Sequence, residues 1–101
     1  KARIDRMKIK FTWKHLDRSE STEDYANEKL GRLKKYVHEV TKSELSIEKV
    51  HGSITAVFNM HADKVDFNAH NTDKEIHACI DGIEEKLEHQ LSHHHDKRAK
   101  H

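Results

Sequence analysis

The sequence predicts an α+β protein: a two-layer βαβββα sandwich, a four-stranded sheet with two helices packed on one face. Three observations carry that prediction. Apolar and polar residues alternate with period two over residues 7–13, 54–60 and 65–69, the pattern of strands with one buried face. Two longer stretches place their apolar residues three and four apart, the spacing of amphipathic helices. There is no proline and there are only three glycines in 101 residues, so no linker divides the chain and one domain is expected.

In the first strand Met7, Ile9, Phe11 and Trp13 alternate with Lys8, Lys10, Thr12 and Lys14. Residues 14–18 read as a loop. Ser19 is placed to cap a helix, because its hydroxyl can accept an N–H of the first turn. Thr22, Ala26, Leu30, Leu33 and Val37 mark that helix over residues 20–37. Leu45 and Ile47 suggest a short second strand with weak patterning. His51 and Gly52 form a turn. Ile54, Ala56, Phe58 and Met60 define a third strand, Ala62 and Asp63 a tight reversal, and Val65, Phe67 and Ala69 a fourth strand. Thr72 or Asp73 is expected to cap a final stretch, residues 75–101, that reads as one long amphipathic helix running into a basic, histidine-rich tail. Its apolar stripe is Ile76, Ile80, Ile83, Leu87 and Leu91. Each strand has one apolar face and each helix one stripe, so both helices must share the covered face of the sheet.

Composition narrows the function classes. Apolar residues make up 34% and charged residues 37% of the chain, against about 45–50% and about 25% in ordinary soluble domains. Nineteen Lys and Arg oppose eighteen Asp and Glu, for a net charge of +1. A polyanionic partner therefore has to be argued from how the charges are distributed. Eleven histidines make the total charge rise on mild acidification. A single cysteine, Cys79, excludes an internal disulfide and fits a reducing compartment. No apolar run approaches the ~18 residues of a membrane span and no signal peptide is visible, so a cytoplasmic protein is expected. Residues 1–6, KARIDR, precede Met7 and are read as an N-terminal extension or expression remnant, with residues 7–101 as the single functional domain.

The final helix is sorted by charge. Asp81, Glu84, Glu85 and Glu88 fall on one flank of its stripe. Lys86, His89, His93 and Lys97 fall on the other, with Arg98 following. Residues three and four apart are neighbours on a helix, so the second flank is a cationic stripe. The carboxylates continue well past the first turn, so the helix dipole does not explain the sorting. In the first helix Lys29, Arg32 and Lys35 step by three along one side, near Tyr25 and Tyr36. There the dipole alone accounts for early acids and late bases, and a solvated surface explains the pattern equally well. Two basic helix edges suit phosphate binding, the main sequence-independent term in nucleic-acid affinity. The polar sheet face, with Thr55, Asn59, Asn68 and His70, lacks aromatics for base stacking. His89 and His93 have two-point chelating spacing, but no Cys or carboxylate pattern of metal-site type accompanies them. Cys79 lies beside the apolar stripe and His77 points away, so an inert buried thiol is expected. No nucleophile–base order or phosphate loop is present. The chain is read as a non-enzyme with no cofactor.

The stretch HACIDGIEEKLEHQLSHHHDK at residues 77–97 resembles the closing helix of the ribosome hibernation-promoting factor and ribosome-associated inhibitor family. The shared features are an aromatic-Ala-x-Ile-Asp start, a Lys-Leu pair and a Gln-Leu pair. KLGRLKKY at residues 29–36, the strand MKIKFT and the element order are similar too, so the resemblance covers residues 7–101 and matches the family's short form. It implies a single ribosome-binding domain that occupies the mRNA and tRNA channel of the small ribosomal subunit and silences translation. The implied partners are the small ribosomal subunit and its rRNA, with no membrane, and the free protein is expected to be a monomer. Whether ribosomes pair, and whether a second hibernation factor assists, stays open. By position, the implied rRNA contacts are Lys29, Arg32, Lys35, Lys86 and Lys97. His89 and His93 stand where Arg or Lys is usual, His77 replaces a usual Tyr, Trp13 a small residue, and Glu88 adds an acid. Those changes predict weaker phosphate binding at neutral pH, strengthened when the histidines protonate. The alternative functions are a general double-stranded RNA-binding module and a histidine-rich metal-binding protein.

Overall fold

The structure, a computed structural model, describes residues 7–99, with side chains to His94. It contains β1 (Lys10–Lys14), α1 (Glu20–Gly31), a 3-10 turn (Arg32–Tyr36), β2 (Val40–Val50), β3 (Ser53–Ala62), β4 (Val65–Asp73) and α2 (Ile76–Ala99). The sheet order is β1-β2-β3-β4. β1 runs parallel to β2, and the other pairs are antiparallel. Both helices cover one face, as the sequence patterning requires, because Leu45, Ile47, Ala56, Phe58, Ile83 and Leu87 are all buried in one core.

The period-two residues reach their expected face. Met7 and Ile9 are buried, and Phe11 and Trp13 pack on the core from a half-buried position. α1 is pinned to this strand's lead-in by Asn27, whose carbonyl accepts from Met7 N–H and whose side-chain oxygen accepts from Ile9 N–H. Ser19 caps α1 as expected, its Oγ accepting from Thr22 N–H at 3.3 Å. The first helix does not continue as α to Val37. It tightens to 3-10 from Arg32, and Val37 is already extended. Leu30, Leu33 and Tyr36 are three apart, and a turn of 3.0 residues keeps them on one side.

β2 differs most from the expectation. It is not short but the longest strand, at 11 residues. Its inward positions are Ser43, Leu45 and Ile47, and Ser43 Oγ donates to the Lys8 carbonyl. A polar residue on the buried side, facing an open outer face, hides the strand's period. The β2–β3 turn is His51 and Gly52, both at positive φ, the two-residue geometry that suits the sheet's twist. The next reversal sits one residue later than expected, at Asp63 and Lys64, also both at positive φ. Asp73, not Thr72, serves the start of α2: its carboxylate accepts from Glu75 N–H, while Thr72 stays in β4 and bonds Thr55.

Ile80, Ile83, Leu87 and Leu91 are fully buried. Further along α2, His94 presses edge-on against Phe67 at 5.3 Å. Its buried Nε2 lies 3.8 Å from the Asp63 carboxylate. That carboxylate also accepts the N–H groups of His38 and Glu39, so one acid ties the β3–β4 turn to the lead-in of β2 beside the distal part of α2.

Candidate nucleic-acid interface

The two flanks of α2 meet different neighbours, which explains their charge sorting. Asp81, Glu84 and Glu88 of the acidic flank face α1 and the 3-10 turn, whereas Glu85 lies toward the basic side. Tyr25 Oη donates to Asp81 at 2.5 Å and Tyr36 Oη to Glu88 at 2.9 Å. Lys29 Nζ lies 3.5 Å from Asp81 and 3.7 Å from Glu84. The Tyr25 ring stacks on His77, with centroids 4.2 Å apart and planes 5° apart. His77, which the sequence placed pointing away from Cys79 and the apolar stripe, is thus a rung between the helices. The hydrogen bond to Asp81, then burial, pushes the Tyr25 phenol up to about 12, because both favour the neutral form.

The basic flank faces the free edge of β4. Lys86 Nζ donates to the His70 carbonyl at 2.6 Å, and Gln90 Nε2 donates to the Asn68 carbonyl at 2.8 Å. An edge strand leaves such carbonyls open to pairing with another chain, and these side chains block it. Glu85, Lys86, His89 and His70 line a groove of about 620 Å³ there. Cys79 is buried beneath, its Sγ 3.2 Å from the Asn71 carbonyl. Burial pushes its thiol up, as expected for an inert sulfur.

Of the residues singled out from the sequence, Arg32, Lys35, Lys86, His89 and His93 are exposed. Lys35 Nζ sits 5.2 Å above the Tyr36 ring. Lys29 is only 24% exposed and engaged by two carboxylates, so its charge is largely answered within the fold. The side chains of Lys97 and Arg98 lie outside the described residues. The bases of α1 and the 3-10 turn are separated from Lys86 and His89 by the acids of α2, so the two basic edges do not merge into one continuous face. Among the described residues, no group of three or more His, Cys, Asp or Glu side chains is gathered to hold a metal ion, and no helix is long and apolar enough to cross a membrane.

Comparison with known proteins adds the family. The family model described as Sigma 54 modulation protein / S30EA ribosomal protein matches residues 9–99. A ribosome hibernation promoting factor from Azotobacter vinelandii is 29% identical over 94 residues, covering 91% of this chain and 86% of that protein. The one from Escherichia coli is 26% identical over 97 residues, covering 94% of this chain and 100% of that protein. A ribosomal subunit interface protein from Coxiella burnetii superposes with a TM-score of 0.75 at 20% identity, over 87% of this chain and 97% of its own. The N-terminal domain of Thermus thermophilus Protein Y does so with 0.74 at 21%, over 84% and 96%. At such identities these two structures establish the fold. The family match runs from the lead-in of β1 to the last turn of α2 and takes in every element described above, and so the chain belongs to the Sigma 54 modulation protein / S30EA ribosomal protein family.

Proposed function

We propose that this chain is a cytoplasmic ribosome hibernation factor that occupies the mRNA and tRNA channel of the small ribosomal subunit and silences translation sterically, without catalysis. The observation that carries the proposal is the family match over residues 9–99, with relatives named ribosome hibernation promoting factor along nearly their whole length. The charge layout supports it: Arg32 and Lys35 on one side of the helix pair and Lys86, His89 and His93 on the other are exposed, and phosphates can reach them, Lys86 while its Nζ also serves the His70 carbonyl. Lys97 and Arg98 extend the second set along the sequence, and Lys29 joins the first only where RNA competes with its carboxylates. The partner is the small subunit and its rRNA, and the free protein is a monomer.

The test is sedimentation. The purified protein should travel with small subunits and inhibit translation in vitro. Remaining unbound at low salt overturns the proposal, and a preference for free duplex RNA over ribosomes turns it into a general RNA-binding module. The double variant Arg32→Glu, Lys86→Glu should lose roughly 10-fold or more in affinity. Lys86 also caps the β4 edge, so circular dichroism should accompany the measurement to separate lost contacts from lost fold.

A further inference from the structure

We propose that the free edge of β4 is a self-association surface, where β4 of a second copy of this chain pairs antiparallel once Lys86 and Gln90 withdraw. This goes beyond the ribosome-binding reading and does not rest on it, because the free chain alone is enough to test it. β4 ends the sheet and is 9 residues long. Its register with β3 runs unbroken from Ile54 opposite Asp73 to Ala62 opposite Val65. Between Val65 and Asp73 it carries neither proline nor lysine. Proline, bulges and lysines are the usual devices that keep an edge strand from pairing.

The guard comes from another element instead. Backbone groups of a strand point alternately to its two sides. Lys86 Nζ reaches the His70 carbonyl at 2.6 Å and Gln90 Nε2 the Asn68 carbonyl at 2.8 Å. The N–H and C=O groups of Asp66, Asn68, His70 and Thr72 therefore face outward. At the other end of the sheet, β1 and its lead-in carry Lys8, Lys10 and Lys14, all exposed. Those lysines belong to the strand they protect. Lys86 and Gln90 instead lean over β4 from α2 on flexible stems, and they leave the edge by side-chain rotation alone. Between the edge and α2 lies the groove of about 620 Å³ lined by Ala69, Lys86, His89 and Gln90. It leaves room for the inward side chains of an added strand.

The sequence of β4 selects a second copy as the occupant. Turned about a two-fold axis at Ala69, two β4 strands place Asn68 opposite His70, Asp66 opposite Thr72 and Ala69 opposite itself. Each outward-facing residue then meets an outward-facing residue, as antiparallel pairing requires. No like charges stand opposite each other, so the pair escapes the penalty that such contacts carry. Ala69 at the axis is small and buried, so no bulky side chain holds the two inner faces apart. The contact is isologous, and it closes at two copies instead of running on as a fibre. With Lys86 and Gln90 in place, the free chain stays a monomer at low concentration.

The experiment is sedimentation equilibrium of the purified chain over a concentration series from about 10 μM to about 1 mM. The wild type is compared with the double variant Lys86→Ala, Gln90→Ala and with Lys49→Ala, a control that loses the same charge elsewhere. Releasing two carbonyls per copy should tighten dimerisation by about 10-fold or more in the double variant, while the control matches the wild type. Adding Asn68→Pro should return the double variant to the wild-type level. The Asn68 N–H points outward, so β4 keeps its ladder to β3 and only the new pairing loses a donor. Adding Thr72→Asp instead sets a second carboxylate opposite Asp66 and should have the same effect through repulsion. Circular dichroism checks that each variant is folded, and Thr72→Asp decides the matter if the proline variant is not. In the double variant, the amide protons of Asn68 and His70 should also gain exchange protection as concentration rises. An unchanged dimerisation constant in the double variant overturns the proposal, and so does a tightening that survives Thr72→Asp.

Discussion

Gly82 is where α2 comes up against the side chain of Asn71. A Cβ on residue 82 would lie 2.0 Å from Asn71 Nδ2, and that nitrogen donates to the Cys79 carbonyl. Glycine inside a helix ordinarily costs about 1 kcal/mol relative to alanine. Here the alanine would displace an amide that is already bonded. Gly82→Ala should therefore destabilise by about 1–2 kcal/mol in urea unfolding, the lost bond and the overpacking outweighing the propensity gain. In an Asn71→Ala background the obstacle is gone, and the same substitution should stabilise by about 0.5–1 kcal/mol. The sequence alone does not show what stands against Gly82, because Asn71 lies on another element.

At the scale of elements, the α1–α2 seam is polar rather than a continuation of the core, and its charge state ties it to pH. Tyr25 is neutral there because Asp81 accepts its proton's hydrogen bond, which pushes the phenol up to about 12. The folded value lies above the unfolded one, near 10. This contribution to stability is thus fully present below about pH 10 and is lost as pH rises toward about 12. Tyr25→Phe should lower the melting temperature at neutral pH, by roughly 1 kcal/mol equivalent after allowance for partial exposure. It should also lose part of the alkaline fall seen in the wild type; an unchanged alkaline fall in the variant would remove the seam from the account. The α1 boundary and the length of β2 were the elements least legible in the sequence. The 3-10 turn keeps the same apolar residues inward as an α-helix would over one turn, so the period does not distinguish them. β2 carries Ser43 inward and Lys42, Glu44 and Glu48 on or near the open face, so neither composition nor alternation marks its full extent.

For the whole molecule, a net charge of +1 conceals two populations of cations. Lys29 and Arg18 are matched by carboxylates, while Arg32 and Lys35 project from the surface. The two kinds should respond differently. Lys29→Ala is expected to cost up to about 1 kcal/mol of stability and to weaken small-subunit binding less than Arg32→Ala. Arg32→Ala should leave the melting temperature nearly unchanged and reduce the salt slope by about 1. Thermal unfolding and salt-dependent sedimentation read these two effects separately; the opposite ranking in affinity would mean that RNA displaces Asp81 and Glu84 from Lys29 on binding.

What the sequence determined by itself was the local geometry. Period two and period 3.6 follow from how Cβ atoms leave a strand or a helix, so the strands, the α2 stripe from Ile80 to Leu91 and the helices' common face could be read without coordinates. The opposite flanks of α2 were readable for the same reason. Tertiary structure alone decided what each charge meets. Lys29 and Asp81 are 52 positions apart. Whether such pairs come into contact depends on how the helices and strands are placed around one another, and Coulomb interactions follow distance in space, not position in the chain.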